Sequence, residues 1–290
     1  MNKVIAIFKE SLPWWIKICA GLALSYLPLP YSVWKEVGIF AHGKMDSCEY
    51  AYSVFKSHHD RVKPRKEFVS LELGPGDSLF SALVSWSFGS SKSYLVDAGD
   101  FADKTIHPYI RMRALLEEKN LPAPDIKSTT SVNELLEACS AHYLTDGLYS
   151  LRQIPDQSVD FIWSNAVLED IRKHEFLDIM KELRRVLVPG GACSHVVDFK
   201  DHIDYNLNNL RFPDSVWESR LIRRSNIYTN RIRCTEMTDL FKDIGFHIKS
   251  FEIQRWEALP LGKDSLSKPF CDMSDAELCI SGCTYILTKQ

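Results

Sequence analysis

The stretch Val69-Ser70-Leu71-Glu72-Leu73-Gly74-Pro75-Gly76-Asp77-Ser78 limits the fold more than any other part of the chain. An apolar run reads as a buried strand. It carries an acid near its end and then two glycines two residues apart. Glycine in such a turn allows positive φ and lets the backbone approach a ligand closely. The helix expected next offers free N–H groups at its start. Strand, glycine turn and helix in this order hold nucleotide-like ligands at the carboxyl ends of strands in α/β folds.

The pattern after this turn keeps alternating between short apolar runs and helical periodicity. Strands are expected at Phe68–Leu73, Ser93–Val96, Ala141–Thr145, Val159–Trp163, Ala192–Asp198, His247–Glu252 and Thr284–Thr288. Helices are expected at Ser78–Phe88, Tyr109–Lys119, Val132–Ser140, Lys173–Val188 and Thr235–Ile244, the last capped by Gly245. Phe176, Leu177, Met180, Leu183, Val186 and Leu187 give Lys173–Val188 one apolar face. Pro189-Gly190-Gly191 is expected to close that helix and turn the chain into the fifth strand. The alternation implies an α/β fold with a seven-stranded, mostly parallel sheet and helices on both faces. Residues 199–234 and 255–278 read as insertions on that frame.

Residues 1–62 read as an N-terminal helical extension, and 63–290 as the main domain. Pro28 and Pro30 stop a first helix, and two more are expected between Tyr31 and Asp60, broken near Gly38 and Gly43. The uncharged stretch Ile18–Val33 is too short and too interrupted to span a bilayer. Two readings stand for it: a helix packed on the main domain, or an interfacial helix with Trp14 and Trp15 at headgroup depth. The formal net charge of −3 gives no general pull toward nucleic acid. Eight scattered cysteines form no Cys-x-x-Cys pair, so reduced thiols are expected and no metal site.

The ligand at the turn is narrowed by what is missing. A dinucleotide-binding Gly-x-Gly-x-x-Gly needs a third glycine, and Leu79 stands there. Asp97 ends the second strand, where an acid can accept hydrogen bonds from both ribose hydroxyls of either kind of cofactor. Further on, Ile154–Asp170 resembles the fourth-strand motif of class I S-adenosylmethionine-dependent methyltransferases, and Glu182–Gly191 resembles their turn into the fifth strand. With Glu72-x-Gly74-x-Gly76-x-Ser78 and Asp97, four motifs stand in order over residues 68–200. The resemblance implies a Rossmann-like fold and S-adenosylmethionine as cofactor. It places Glu72, Gly74, Pro75, Gly76 and Ser78 around the methionine part and Asp97 on the ribose. Asp146 would lie near the adenine, and Ser164 and Asn165 would face the sulfonium and the substrate. Many relatives carry Leu-Glu-His where this chain has Leu168-Glu169-Asp170, so Asp170 replaces that histidine or another group acts.

Methyl transfer to a hydroxyl gains from a base, and the stretch after the fifth strand offers Asp198, Asp201 and His202. Asp198 is expected above the cofactor. His202 reads as a base or substrate ligand, or as a surface histidine held by Asp201. His195 reads as a packed strand residue. Tyr205–Phe212 and Asn226–Arg231 supply amides and arginines that suit a polyhydroxylated acceptor and equally suit loop packing. The expected activity is O-methylation of a small-molecule or glycan hydroxyl, in the cytoplasm or peripheral to the inner face of the membrane. A nicotinamide-dependent oxidoreductase or epimerase, and a catalytically silent protein of the same fold, are the alternatives.

Overall fold

The computed structural model describes residues 12–27, 44–126 and 129–290. Seven strands build one sheet: β1 Val69–Leu73, β2 Lys92–Val96, β3 Ala141–Leu144, β4 Val159–Asn165, β5 Leu187–Asp198, β6 His247–Arg255 and β7 Ile280–Thr288. Their order is β3-β2-β1-β4-β5-β7-β6. The neighbouring strands from β3 to β5 pair in parallel, and β7 runs antiparallel to both of its neighbours. The sheet is therefore mixed, with one reversed strand beside its β6 edge. That edge strand is largely exposed and carries His247, Lys249, Glu252 and Arg255, charges and polar groups that discourage pairing with another chain.

Side-chain alternation divides the core into two layers. Leu71, Leu73 and Ile162 face one cluster, closed by α6 (Leu148–Gln153), α7 (Lys173–Val186) and α10 (Cys234–Ile244) through residues such as Leu151, Phe176, Met180 and Phe241. Phe161 and Trp163 face the other. It is covered by α2 (Cys48–Val62), α3 (Phe80–Ser87), α4 (His107–Glu118) and α5 (Val132–Ala138). Phe55 of α2 meets Trp163 edge-on at 5.7 Å and is fully buried, so this helix belongs to the same core as the sheet.

Three local expectations need correcting. Leu177 is 39% exposed, and Ile179 takes its place on the apolar face of α7. The helix ends at Val186, and the fifth strand starts at Leu187. Pro189-Gly190-Gly191 therefore lies inside the strand, as a bulge between the pairs Val159–Leu187 and Phe161–Ala192, with Gly190 at φ 77°. Helix α6 was not expected. It is only six residues long, too short for a periodic signal.

Of the N-terminal helices, α1 (Trp14–Ser25) packs on the first insertion. Ile18 is buried against Trp217, Ile222, Ile227 and Tyr228, and Trp14 meets Phe212 at 6.2 Å. Lys17 pairs with Asp204, while Trp15 stays exposed. Pro28, Pro30 and the part of the two expected helices up to Gly43, with the break near Gly38, lie outside the described residues. Among the described residues, no helix is long and apolar enough to cross a membrane.

The insertions are tied to the sheet by one buried guanidinium. Arg233, 2% exposed, donates to the carbonyls of Phe199, Glu277, Leu278 and Ile280 at 2.7–3.2 Å. Burial draws its pKa down to about 10, which still leaves it charged at neutral pH. Lysine has a single nitrogen and cannot reproduce this fork. Arg233→Lys should cost about 2–4 kcal/mol, because carbonyls are left unpaired in the interior. Denaturant unfolding reads this directly, and a change below about 0.5 kcal/mol would contradict the assignment.

Candidate active site

The ends of β1, β2 and β3 are stitched together at the carboxyl edge of the sheet. Gly74 N–H donates to Val96 O at 2.8 Å, and Gly76 N–H donates to Asp97 Oδ2 at 3.0 Å. Asp97 Oδ1 accepts from the N–H of Ala98, and the Asp97 carbonyl accepts from the N–H of Gly147. The two glycines take φ 74° and 66°, conformations that side chains strongly disfavour. Gly74 has a second reason to be glycine. A Cβ there would lie 2.6 Å from Val167 Cγ2. Val167 is aimed at the turn by Ala166, a non-glycine residue at φ 55° just beyond β4.

Glu72 is 3% exposed and accepts a hydrogen bond from the Ser81 hydroxyl. Burial pushes its carboxyl up to about 8, despite that bond. Pro75 is buried in the turn. The Ser78 hydroxyl donates to the carbonyl of Met45, which pins the segment before α2 onto the glycine turn. Asp146 is exposed at the end of β3, next to Gly147 and so beside Asp97. Ser164 is fully buried, with its hydroxyl 2.7 Å from His195 Nδ1, and so turns into the sheet layer. His195 is also fully buried, and burial lowers its pKa to about 3, so the ring is neutral. Asn165 is half-buried, and its amide lies 3.5 Å from the Tyr50 hydroxyl.

The three expected catalytic side chains gather around the ends of β4 and β5. His202 Nε2 lies 3.5 Å from Asp170 Oδ1, and both side chains are partly exposed. The expected partner of His202, Asp201, is committed elsewhere. It is fully buried and its carboxylate accepts from the N–H groups of Ile203, Asp204 and Asn208, which shapes the loop. Asp198 accepts from Lys200 N–H at 2.9 Å and meets its ammonium at 3.3 Å. Glu169 is a member of the cluster that the sequence reading missed. It is 3% exposed, and its Oε1 accepts from Asp198 N–H at 3.2 Å. Burial, and then the charge of Asp170, hold its carboxyl well above the usual range. An acid directly before Asp170 in an otherwise apolar turn was the available signal.

The amide-rich stretches fold inward. Asn209 bonds Thr229 at 2.8 Å, and Asn230 donates to the carbonyls of Leu168 and Ile171. Arg231 is spent on the Phe212 carbonyl and Asp214. These residues support the loops, so the packing reading holds for them.

The crowding at Gly74 is separable from its backbone strain. Gly74→Ala should cost about 2–4 kcal/mol, from positive φ plus overlap with Val167. Val167→Ala in the same chain should recover only the overlap part, and strict additivity in a double-mutant cycle would refute the contact. Glu72 predicts a pH effect. Its carboxyl ionises near 4.5 when unfolded and near 8 when folded. Between those values the folded state binds the extra proton, so stability falls as pH rises through this window and then levels off. Glu72→Gln should flatten that slope by an amount on the order of a few kcal/mol. Parallel unfolding profiles for wild type and variant between pH 4.5 and 8 would exclude it.

The family described as "Methyltransferase domain" matches residues 123–194, about a quarter of the chain. No curated protein matches. Similar solved structures include an S-adenosylmethionine-dependent methyltransferase from Methanosarcina mazei, 17% identical, covering 81% of this chain and 96% of that one with a TM-score of 0.42. Another, from Mesorhizobium loti, is 13% identical and covers 84% and 100%, with a TM-score of 0.47. A putative sarcosine dimethylglycine methyltransferase from Galdieria sulphuraria is 13% identical and covers 83% and 84%, with a TM-score of 0.47. The matched family segment contains β3, β4 and α7. The residues around it fit S-adenosylmethionine by their chemistry: a glycine pair at positive φ, an acceptor-only carboxylate at Asp97, and the buried acid Glu72 behind the turn. Residues 123–194 are thus similar to the methyltransferase-domain family, and the glycine turn that precedes them has the form an S-adenosylmethionine site needs.

Proposed function

We propose that the protein methylates a hydroxyl of a small-molecule or glycan acceptor. The observation that carries this reading is the contact between His202 Nε2 and Asp170 Oδ1 at 3.5 Å, beside the ends of β4 and β5. A carboxylate at one nitrogen of an imidazole orients the ring and supports a positive charge on it. The pair then has the chemistry of a base for a hydroxyl, with Asp170 in the place where many relatives carry histidine. Asp97 and the Gly74–Gly76 turn would hold the cofactor, which supplies an electrophilic methyl group when bound. The chain's own contribution is alignment and proton removal. Alignment of acceptor and methyl–sulfur bond supplies up to roughly 7–11 kcal/mol in favourable cases.

The mechanism asks three things of named residues. The backbone of the glycine turn and Asp97 would hold the cofactor. Asp198, paired with Lys200, stands at the end of β5. His202 takes the acceptor proton, and Asp170 stabilises the imidazolium that forms. Buried Glu169 stands behind them, where its bond to Asp198 N–H holds the end of β5 in place. Work in the cytoplasm, with α1 near the inner face of a membrane, is compatible with the exposed Trp15 and belongs to the same proposal.

Methyl transfer from labelled S-adenosylmethionine to fractionated glycans, lipids and small molecules tests this reading. His202→Gln should lower kcat by about 10²–10⁴ while calorimetry shows unchanged cofactor affinity. Labelled product on amines alone, or full activity in His202→Gln, would sink it. Binding of NAD with no binding of S-adenosylmethionine would sink the cofactor assignment as well.

A further inference from the structure

A cavity of about 400 Å³ opens at the start of α7, lined by Arg172, His174, Glu175, Arg220, Arg223 and Arg224. Four guanidinium groups meet one carboxylate on its walls. None of the four arginines forms a salt bridge with a described acidic residue. Arg172 instead lies over the ring of Tyr228 at 4.6 Å, and Arg223 Nη1 lies 3.4 Å from His174 Nδ1. The Nε of Arg223 is buried and has no hydrogen-bond partner. Like charges this close repel, and a buried donor without an acceptor is costly. Arg231 and Arg233 also keep a buried Nε without a partner, yet their other donors meet Asp214 and four carbonyls, and Arg185 has Glu182 and Asp156. Among the described residues, the cavity brings four guanidinium groups together with a single carboxylate on its wall.

The helix adds to this field. Helix α7 has 14 residues and starts at the cavity wall, with Arg172 as its N-cap and no side-chain cap. Its start contributes the positive end of its dipole, while the N–H of Lys173 donates to the Tyr228 hydroxyl and those of Glu175 and Phe176 to the Arg172 carbonyl.

We propose that this cavity binds a phosphate group. A phosphate dianion offers several oxygens to forked donors and balances more than one positive charge, where a single carboxylate offers two oxygens and one charge. The cavity is larger than the group itself, so it also has room for what the phosphate is attached to. Arg172 stands two residues from Asp170, whose carboxylate meets His202. A phosphorylated ligand held here therefore lies next to that pair. The site stands on its own chemistry, whichever acceptor the enzyme methylates.

The test uses the full chain in low-salt buffer, with inorganic pyrophosphate and glycerol 3-phosphate as soluble probes. Calorimetry should show binding by the wild type. The exposed pair Arg220→Gln/Arg224→Gln should weaken it at least tenfold, and Arg223→Lys should give an intermediate loss because the charge remains and the fork does not. Arg113→Gln, on the far side at α4, should change nothing. S-adenosylmethionine affinity measured on the same samples keeps a failure here distinct from a failure of the methyltransferase reading. Co-sedimentation with phosphatidylcholine vesicles containing phosphatidic acid separates the sources. Vesicle binding lost in the paired variant assigns a lipid headgroup, and soluble binding without sedimentation assigns a free phosphate ester. No binding of either kind by the wild type, or equal binding by wild type and paired variant in protein of unchanged unfolding temperature, overturns the proposal.

Discussion

The hydrogen bond from Gly76 N–H to the Asp97 carboxylate is the contact on which the rest of the site depends. It joins a turn with no regular structure to the end of a neighbouring strand. Asp97 also takes the N–H of Ala98, and its own backbone links to Leu144 and Gly147. Three strand ends are held at one level by a single residue. Since those strands are parallel, all their carboxyl ends arrive at the same edge, and the acids and glycines placed there converge without any loop having to reach across the molecule. The second half of the site, at β4 and β5, joins through Val167 packed on Gly74.

This geometry explains which parts were readable from residues alone. Strand positions and the glycine turn depend on neighbours within a few residues, and Val69–Leu73, Gly74 and Asp97 lie where the pattern put them. The chain also shows its layers locally, since Phe161, Ile162 and Trp163 alternate between the two cores. The misses at the site depend on distant partners. Asp201 stands next to His202 in sequence, yet a buried loop claims its carboxylate and Asp170 becomes the histidine's partner. Ser164 looked like a strand-end residue open to ligand, and His195 on the adjacent strand takes its hydroxyl. The asparagines of the insertion were ambiguous for the same reason. An amide reads alike whether it meets a sugar or the carbonyl of Leu168.

Buried acids sit behind both halves of the site. Glu72 lies under the glycine turn and Glu169 under the end of β5, each with its carboxyl pushed toward the neutral form by burial. Glu72 takes the Ser81 hydroxyl and Glu169 the N–H of Asp198, so each acid braces a neighbouring segment from the interior. The side chains of Asp170, Asp198 and His202, by contrast, are partly exposed.

The clasp formed by Arg233 has a consequence for engineering. One side chain holds the carbonyl of Phe199, at the start of the first insertion, and those of Glu277, Leu278 and Ile280, at the close of the second. The two segments flank α10 and β6 in sequence and form one mechanical unit through that side chain. Grafting either segment alone onto a related scaffold would carry only half of that unit. A transplant has to move 199–234 and 255–278 together with the first residue of β7, with Arg233 as the pin between them.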